Sequence, residues 1–237
     1  MLQSGVARLR LLAVIEILAC SGWPTQLAIA GGLAAVGIGP YDAHGQLSAP
    51  YVFALLLIDA AALVGLVAWF LRAHGEKFFR VLVGRRPVAR EAGLGLLLVP
   101  AAFLIAAVTL LVVARAFPWL HNVAKNPFEG LASTPLDAVL LSVVAVVGGG
   151  VREEVQRAFI LHRFDQCLGG GAVGVVATSV AFGLGHLIQG RDVAVTTALL
   201  GAFWGLVYLK RRSIVSTVVS HSGFNAAEIF RFLVFGA

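Results

Sequence analysis

Long apolar stretches at residues 11–38, 51–71 and 92–113 each approach or exceed the roughly 20 residues that a helix needs to cross a bilayer. In hydrocarbon every backbone N–H and C=O must be satisfied within the protein, so such stretches fold as helices rather than as open sheet. Composition points the same way: 59% of the residues are hydrophobic and 13% charged, against about a quarter charged in soluble domains. The fold class is therefore all-α, a polytopic membrane helical bundle. The most economical division has seven spans, at 11–38, 51–71, 92–114, 136–162, 171–188, 193–209 and 213–235. An eighth arises if the first stretch folds back as a hairpin at 21–24, where Pro24 removes a backbone donor. The single span, kinked at Pro24, is the preferred reading. That stretch is expected to be a span rather than a cleaved leader, because it is too long and no small-residue cleavage site precedes a polar region.

The formal charge of +6 does not imply nucleic acid, because the basic residues fall in short runs between apolar segments, the pattern of positive-inside anchoring. With seven spans, the amino terminus, the loop 72–90, the turn near Arg163 and the cluster Lys210-Arg211-Arg212 share one side. That side is expected to be cytoplasmic, which makes this a multi-pass protein of the inner (plasma) membrane with a cytoplasmic amino terminus. The connections 39–50, 117–135 and 189–192 carry few and mixed charges. Cys20 and Cys167 lie in or beside apolar segments without metal-ligand spacing, so neither a disulfide framework nor a cysteine cluster is indicated. The chain reads as one integral membrane domain, with N-terminal transmembrane helices over 1–130 and polar-bearing helices over 131–237. No repeat, low-complexity tract or soluble domain interrupts it.

An ionisable side chain at the bilayer centre costs at least ~2.5–3.5 kcal/mol, so each one asks for a function or a partner. Glu16 and Asp59 are isolated acids, for which a helix-packing bond or an interfacial position serves as well as chemistry. The later spans differ. Gly148-Gly149-Gly150-Val151-Arg152-Glu153-Glu154-Val155-Gln156-Arg157 joins three glycines, which permit close backbone approach, to two carboxylates and two arginines. Glu153 and Glu154 lie about 100° apart around a helix, so one alone can point squarely at a given site, and Arg157 lies one turn on from both. Taken alone, the segment reads equally well as a buried ion pair that fixes packing. The next span ends Phe182-Gly183-Leu184-Gly185-His186. The last carries His221-Ser222-Gly223-Phe224-Asn225, whose four-residue spacing puts His221 and Asn225 on one face. Three polar clusters on neighbouring spans are better explained by a shared polar cavity than by three separate packing contacts.

At these residues the sequence resembles the CAAX protease and bacteriocin-processing (Abi-like) family of intramembrane peptidases, whose pattern is Glu-Glu-x-x-x-Arg, then Phe-x-x-x-His, then His-x-x-x-Asn or Asp. Phe182 with His186 and His221 with Asn225 fit the second and third motifs, and the resemblance covers roughly 136–230. The first motif departs from the pattern, because Arg157 follows Glu153 by four residues rather than five. Aligned on the acid pair, Glu153 is the first family glutamate; aligned on Arg157, it is the second and Arg152 occupies the first position. Either way Glu153 stands at a family carboxylate, and the choice of base between Glu153 and Glu154 stays open.

The resemblance implies an intramembrane endopeptidase, of glutamic type with a metallopeptidase as the competing account, that hydrolyses a peptide bond of a membrane-associated substrate. Residues 131–237 would be its catalytic helices. It assigns water activation to Glu153 or Glu154 with His186, and oxyanion stabilisation to His221 and Asn225. Arg157 would hold the unused carboxylate, with Phe182 in support. No cofactor is obligatory in this account. Zinc is the alternative, with Glu153, His186 and His221 as the ligands, although the usual His-Glu-x-x-His helix is absent. The implied partners are the lipid bilayer and a peptide or membrane-protein substrate. A non-catalytic scaffold or immunity factor of the same fold is the reading from another class. A proton-coupled transporter is a further one, disfavoured by the lack of internal repeats.

Overall fold

Two of the described helices, the third and the sixth, start at polar side-chain caps between apolar runs. Ser48 accepts a hydrogen bond from the Tyr51 N–H and opens α3 (Ala49–Ala73). Thr134 and Asp137 exchange reciprocal bonds of 3.1 and 3.2 Å in a capping box that opens α6 (Pro135–Val144). The computed structural model describes residues 2–131 and 134–235. Its remaining α-helices are α1 (Leu2–Ala19), α2 (Trp23–Ala35), α4 (Phe78–Leu82), α5 (Val88–Ala116), α7 (Glu153–Cys167), α8 (Gly171–Gly185), α9 (Arg191–Arg211) and α10 (Val215–Phe235). The described residues are joined by short 3-10 turns, and the one β-bridge among them pairs Tyr41 with Leu47. Three described helices, α3, α5 and α9, are long and apolar enough to cross a membrane.

The first apolar stretch is not the single helix expected over 11–38. It breaks at Cys20–Gly22 into α1 and α2. The break comes from Gly22, whose φ of 88° is open to glycine and strained for other residues. Pro24 does not kink a continuous span. It lies in the first turn of α2, where its missing N–H would have no intrahelical partner in any case. The span expected over 136–162 extends further, because α6, a π-helical segment Ala145–Arg152 and α7 follow one another without a gap.

The layout of the bundle inverts that of a soluble protein. Large apolar side chains such as Leu96, Leu97 and Leu104 of α5 face outward, while Glu16, Asp59, Glu91, Arg152, Glu154, Arg157 and Arg163 are buried. Each buried charge has a partner from another part of the chain or from the next turn. Arg152 meets Asp59 at 2.7 Å, Arg163 meets Glu16 at 2.6 Å, and Glu91 pairs with Arg211. Central to this arrangement is α7, which buries Val155, Ala158, Phe159, Ile160 and Leu161 although its sequence is among the least apolar of the spans. Phe159 and Leu161 pack with Leu63, Val67 and Leu71 of α3 and Tyr208 of α9, and a second apolar cluster joins Ala102 and Ala106 of α5 to Leu200 and Trp204 of α9.

The polar connections gather at two ends. At one, Ile214 N–H donates to the Leu82 carbonyl at 2.8 Å, Arg86 Nε donates to the Arg211 carbonyl at 3.0 Å, and Arg212 pairs with Asp165 at 2.8 Å. The loop 72–90, the end of α7 and the Lys210 cluster are thus brought together, as the charge pattern requires. At the other end His121 meets Asp192 at 2.7 Å and the Arg191 N–H donates to Asn122 at 2.8 Å.

Candidate active site

Close approach between the π segment and α10 is set by glycine. A Cβ on Gly149 would collide with Asn225 Nδ2, and one on Gly150 with Ser222 Oγ, whereas one on Gly148 would meet Leu56 at an ordinary 3.7 Å. The π winding delivers Glu153 and Glu154 to the first turn of α7, directly opposite His221 of α10. Such windings are rare and concentrate at functional sites. Of the two glycines beside His186, Gly183 does permit close packing, since a Cβ there would meet the Ala194 carbonyl at 2.6 Å; Gly185 has open space around it.

The two acids have different surroundings. Glu154 is 1% exposed. One of its oxygens accepts from the Arg157 guanidinium and from His221 Nδ1 at 3.0 Å. Because an ionised carboxylate can only accept, Nδ1 carries a proton in this contact. Glu153 has no arginine partner among the described residues, and its Oε2 lies 3.8 Å from His221 Nε2. The spacing led to the expectation that one acid alone would address the site. Instead the imidazole, with nitrogens on two edges, takes Glu154 on one and faces Glu153 with the other.

Aromatic rings fix the histidines. His221 stacks on Trp204 with centroids 3.8 Å apart and planes 17° apart, and the indole N–H of Trp204 donates to Ser220 at 3.1 Å. Arg157 lies 4.7 Å above the Phe182 ring. Phe182 meets His221 at 6.1 Å and His186 at 4.7 Å. His186 terminates α8 and donates from Nδ1 to the Phe182 carbonyl at 2.8 Å, which leaves Nε2 without a proton in the neutral ring. Among the described residues His186 makes no hydrogen bond to either acid, and its link to the cluster runs through Phe182. Asn225, one turn beyond His221, donates from Nδ2 to the Ala145 carbonyl of the π segment at 3.3 Å. One amide hydrogen is so engaged and one remains.

The structure therefore brings together Glu153, Glu154, Arg157, Phe182 and His221, with Asn225 on the adjoining turn and His186 behind the Phe182 ring. Sequence reasoning missed Trp204, which carries no mark distinguishing it from other aromatics in apolar helices. It also left Asp59 isolated. Asp59 accepts from Thr25 and Gln26 of α2 and pairs with Arg152, while Gln156 donates to the Cys20 carbonyl at 2.7 Å. The α1–α2 turn and α3 thus hold the residues on either side of the acid pair. The signal was Arg152 itself, a buried cation needing an anion from another span.

Zinc would require three protein ligands converging on one point at about 2.0–2.3 Å. Among the described residues no three His, Cys, Asp or Glu side chains are grouped closely enough to hold a metal ion. His221 has committed Nδ1 to Glu154, and His186 reaches the cluster only through Phe182. The set Glu153, His186 and His221 does not fit zinc in this arrangement, and no step below passes through a metal.

Residues 135–227 match the family model described as Type II CAAX prenyl endopeptidase Rce1-like. The resemblance carried by the three motifs is borne out over that segment, which contains every residue of the cluster. No curated protein and no solved structure matches the chain.

Proposed function

We propose that this chain is a CAAX-type intramembrane endopeptidase in which Glu153, and not Glu154, is the base. One observation carries the reading: Glu154 is locked between Arg157 and His221, while Glu153 stands 3.8 Å from His221 Nε2 with no arginine or lysine partner among the described residues. A water placed about 2.8 Å from both atoms would be held by two acceptors or by an acceptor and a donor, within the reach that proton transfer needs. Glu153 takes the proton as the water oxygen bonds to the scissile carbonyl carbon. His186 Nε2, free in the neutral ring, is a second acceptor near the cluster. The remaining Asn225 N–H donates to the developing oxyanion, as does His221 Nε2–H when that ring is doubly protonated. When the C–N bond breaks, Glu153 returns its proton to the leaving amine. The substrate class is a peptide or membrane protein presented within the bilayer.

Kinetics separates this from a scaffold of the same fold. Asn225→Ala is expected to lower kcat by ~10²–10³ with KM little changed, because an oxyanion donor acts mainly in the transition state. If the variant instead loses folded protein in detergent while the surviving fraction cleaves at the normal rate, the bond to Ala145 is structural and the oxyanion role falls. Wild-type protein that cleaves no peptide or membrane substrate under any presentation would favour the scaffold. The metal-free route is tested by metal analysis with chelation: stoichiometric zinc whose removal reversibly abolishes cleavage would overturn it.

A further inference from the structure

At the basic end of the bundle, away from the acid pair, a cavity of about 490 Å³ opens between α4, α7 and α9. It is lined by Glu76, Lys77, Arg80, His162, Tyr208 and Arg212. His162 lies nine residues beyond Glu153 on α7, roughly 13 Å along the axis, so this cavity and the acid pair are separate places. We propose that it binds the phosphate of an anionic phospholipid headgroup.

The charges in the cavity are unevenly matched. Burial alone would push the Glu76 carboxyl up, yet hydrogen bonds from Arg163 and His162, both at 2.5 Å, hold it below its ordinary value. Its negative charge is thus already taken by α7. Arg212 is shared with Asp165. Lys77 and Arg80 are exposed and have no acidic partner among the described residues, so the cavity presents net positive charge to an incoming anion. Between them in sequence stands Phe79, 74% exposed, on the short helix α4 that follows the membrane-crossing α3. Two cations flanking an outward aromatic at the end of a span form an arrangement suited to the headgroup level, with the ring against acyl chain and the cations on phosphate. Tyr208 is buried behind them, its hydroxyl donating to the Val81 carbonyl at 3.1 Å, and this tie fixes α4 against α9.

The test uses full-length protein in phosphatidylcholine nanodiscs with and without phosphatidylglycerol. Lipid retention is measured by native mass spectrometry, with thermal melting as the second readout. Phosphatidylglycerol should be retained about thirty-fold less by Lys77→Gln/Arg80→Gln, from roughly one phosphate contact at each residue. The charge-keeping Lys77→Arg/Arg80→Lys should bind as wild type, and melting in pure phosphatidylcholine should be the same for all three proteins. Equal retention by wild type and the Gln variant would overturn the proposal. Inorganic phosphate that displaces phosphatidylglycerol from wild type at millimolar concentration would overturn the lipid assignment in favour of a soluble phosphate.

Discussion

Glu153→Gln is expected to lower turnover by ~10²–10⁴ while leaving expression, melting and substrate binding close to wild type, the loss typical of removing a general base. The separation of chemistry from stability follows from the surroundings of this acid. Among the described residues no arginine pairs with Glu153, whose Oε2 lies 3.8 Å from His221 Nε2. The amide keeps the shape and strands no buried charge. Measured in detergent or nanodiscs with a cleavable membrane peptide, the variant should bind substrate and fail to cut it. An active Glu153→Gln beside a dead but well-folded Glu154→Gln would exchange the roles of the two acids and overturn the assignment made from Arg157.

Arg157→Leu is expected to cost ~3–5 kcal/mol of stability, the penalty for leaving one member of a buried pair uncompensated. Arg157 is 4% exposed and its partner Glu154 1%. That is a large share of the roughly 5–15 kcal/mol by which a folded domain is stable, so the yield of folded protein should fall sharply. The double variant Arg157→Leu/Glu154→Gln removes both charges and should recover a large part of the loss in a melting experiment. A single variant that melts as wild type would mean the pair carries little energy, and a double variant no more stable than the single would mean the stranded Glu154 charge is not the source of the loss. Activity in the double variant is a separate matter, because Glu154 also accepts from His221 Nδ1 and orients that ring.

What could be read in advance, and what could not, divides along a physical line. Apolar length identified α3 and α5, two of the described helices long and apolar enough to cross a membrane, since every lipid-facing position must be apolar. Clustered ionisable residues on the later spans pointed to Glu153, Glu154, Arg157 and His221, which the structure brings together, since each must find a partner or a function. The same reasoning stopped where backbone geometry decides. Gly22 turned one expected helix into two, where Pro24 beside it favours a kinked single span when read from sequence. The π winding before Glu153 cannot be seen in residue spacing, and Glu153 and Glu154 flank one ring because His221 spans the angle between them. Pairing across the bundle was likewise illegible, as nothing near Glu16 in sequence names Arg163.

That last pairing bears on how the chain reaches the membrane at all. Arg163 and Glu16 are 147 positions apart, and Asp59 of α3 waits in the same way for Arg152. During synthesis the early helices are made with their acids unanswered, and the π segment and α7 follow with Arg152 and Arg163, whose counterions were made first. Insertion of the π segment with α7 is thus expected to be templated: Arg152 becomes tolerable in hydrocarbon only against Asp59 already present, while Arg163 meets Glu16 and Glu76 at the polar end of the bundle. A C-terminal half made alone would carry Arg152 into the lipid without Asp59, at ~2.5–3.5 kcal/mol or more. Supplying residues 1–131 as a separate polypeptide should restore its insertion, so in biogenesis the amino-terminal helices serve as an assembly scaffold for the helix that carries the acid pair.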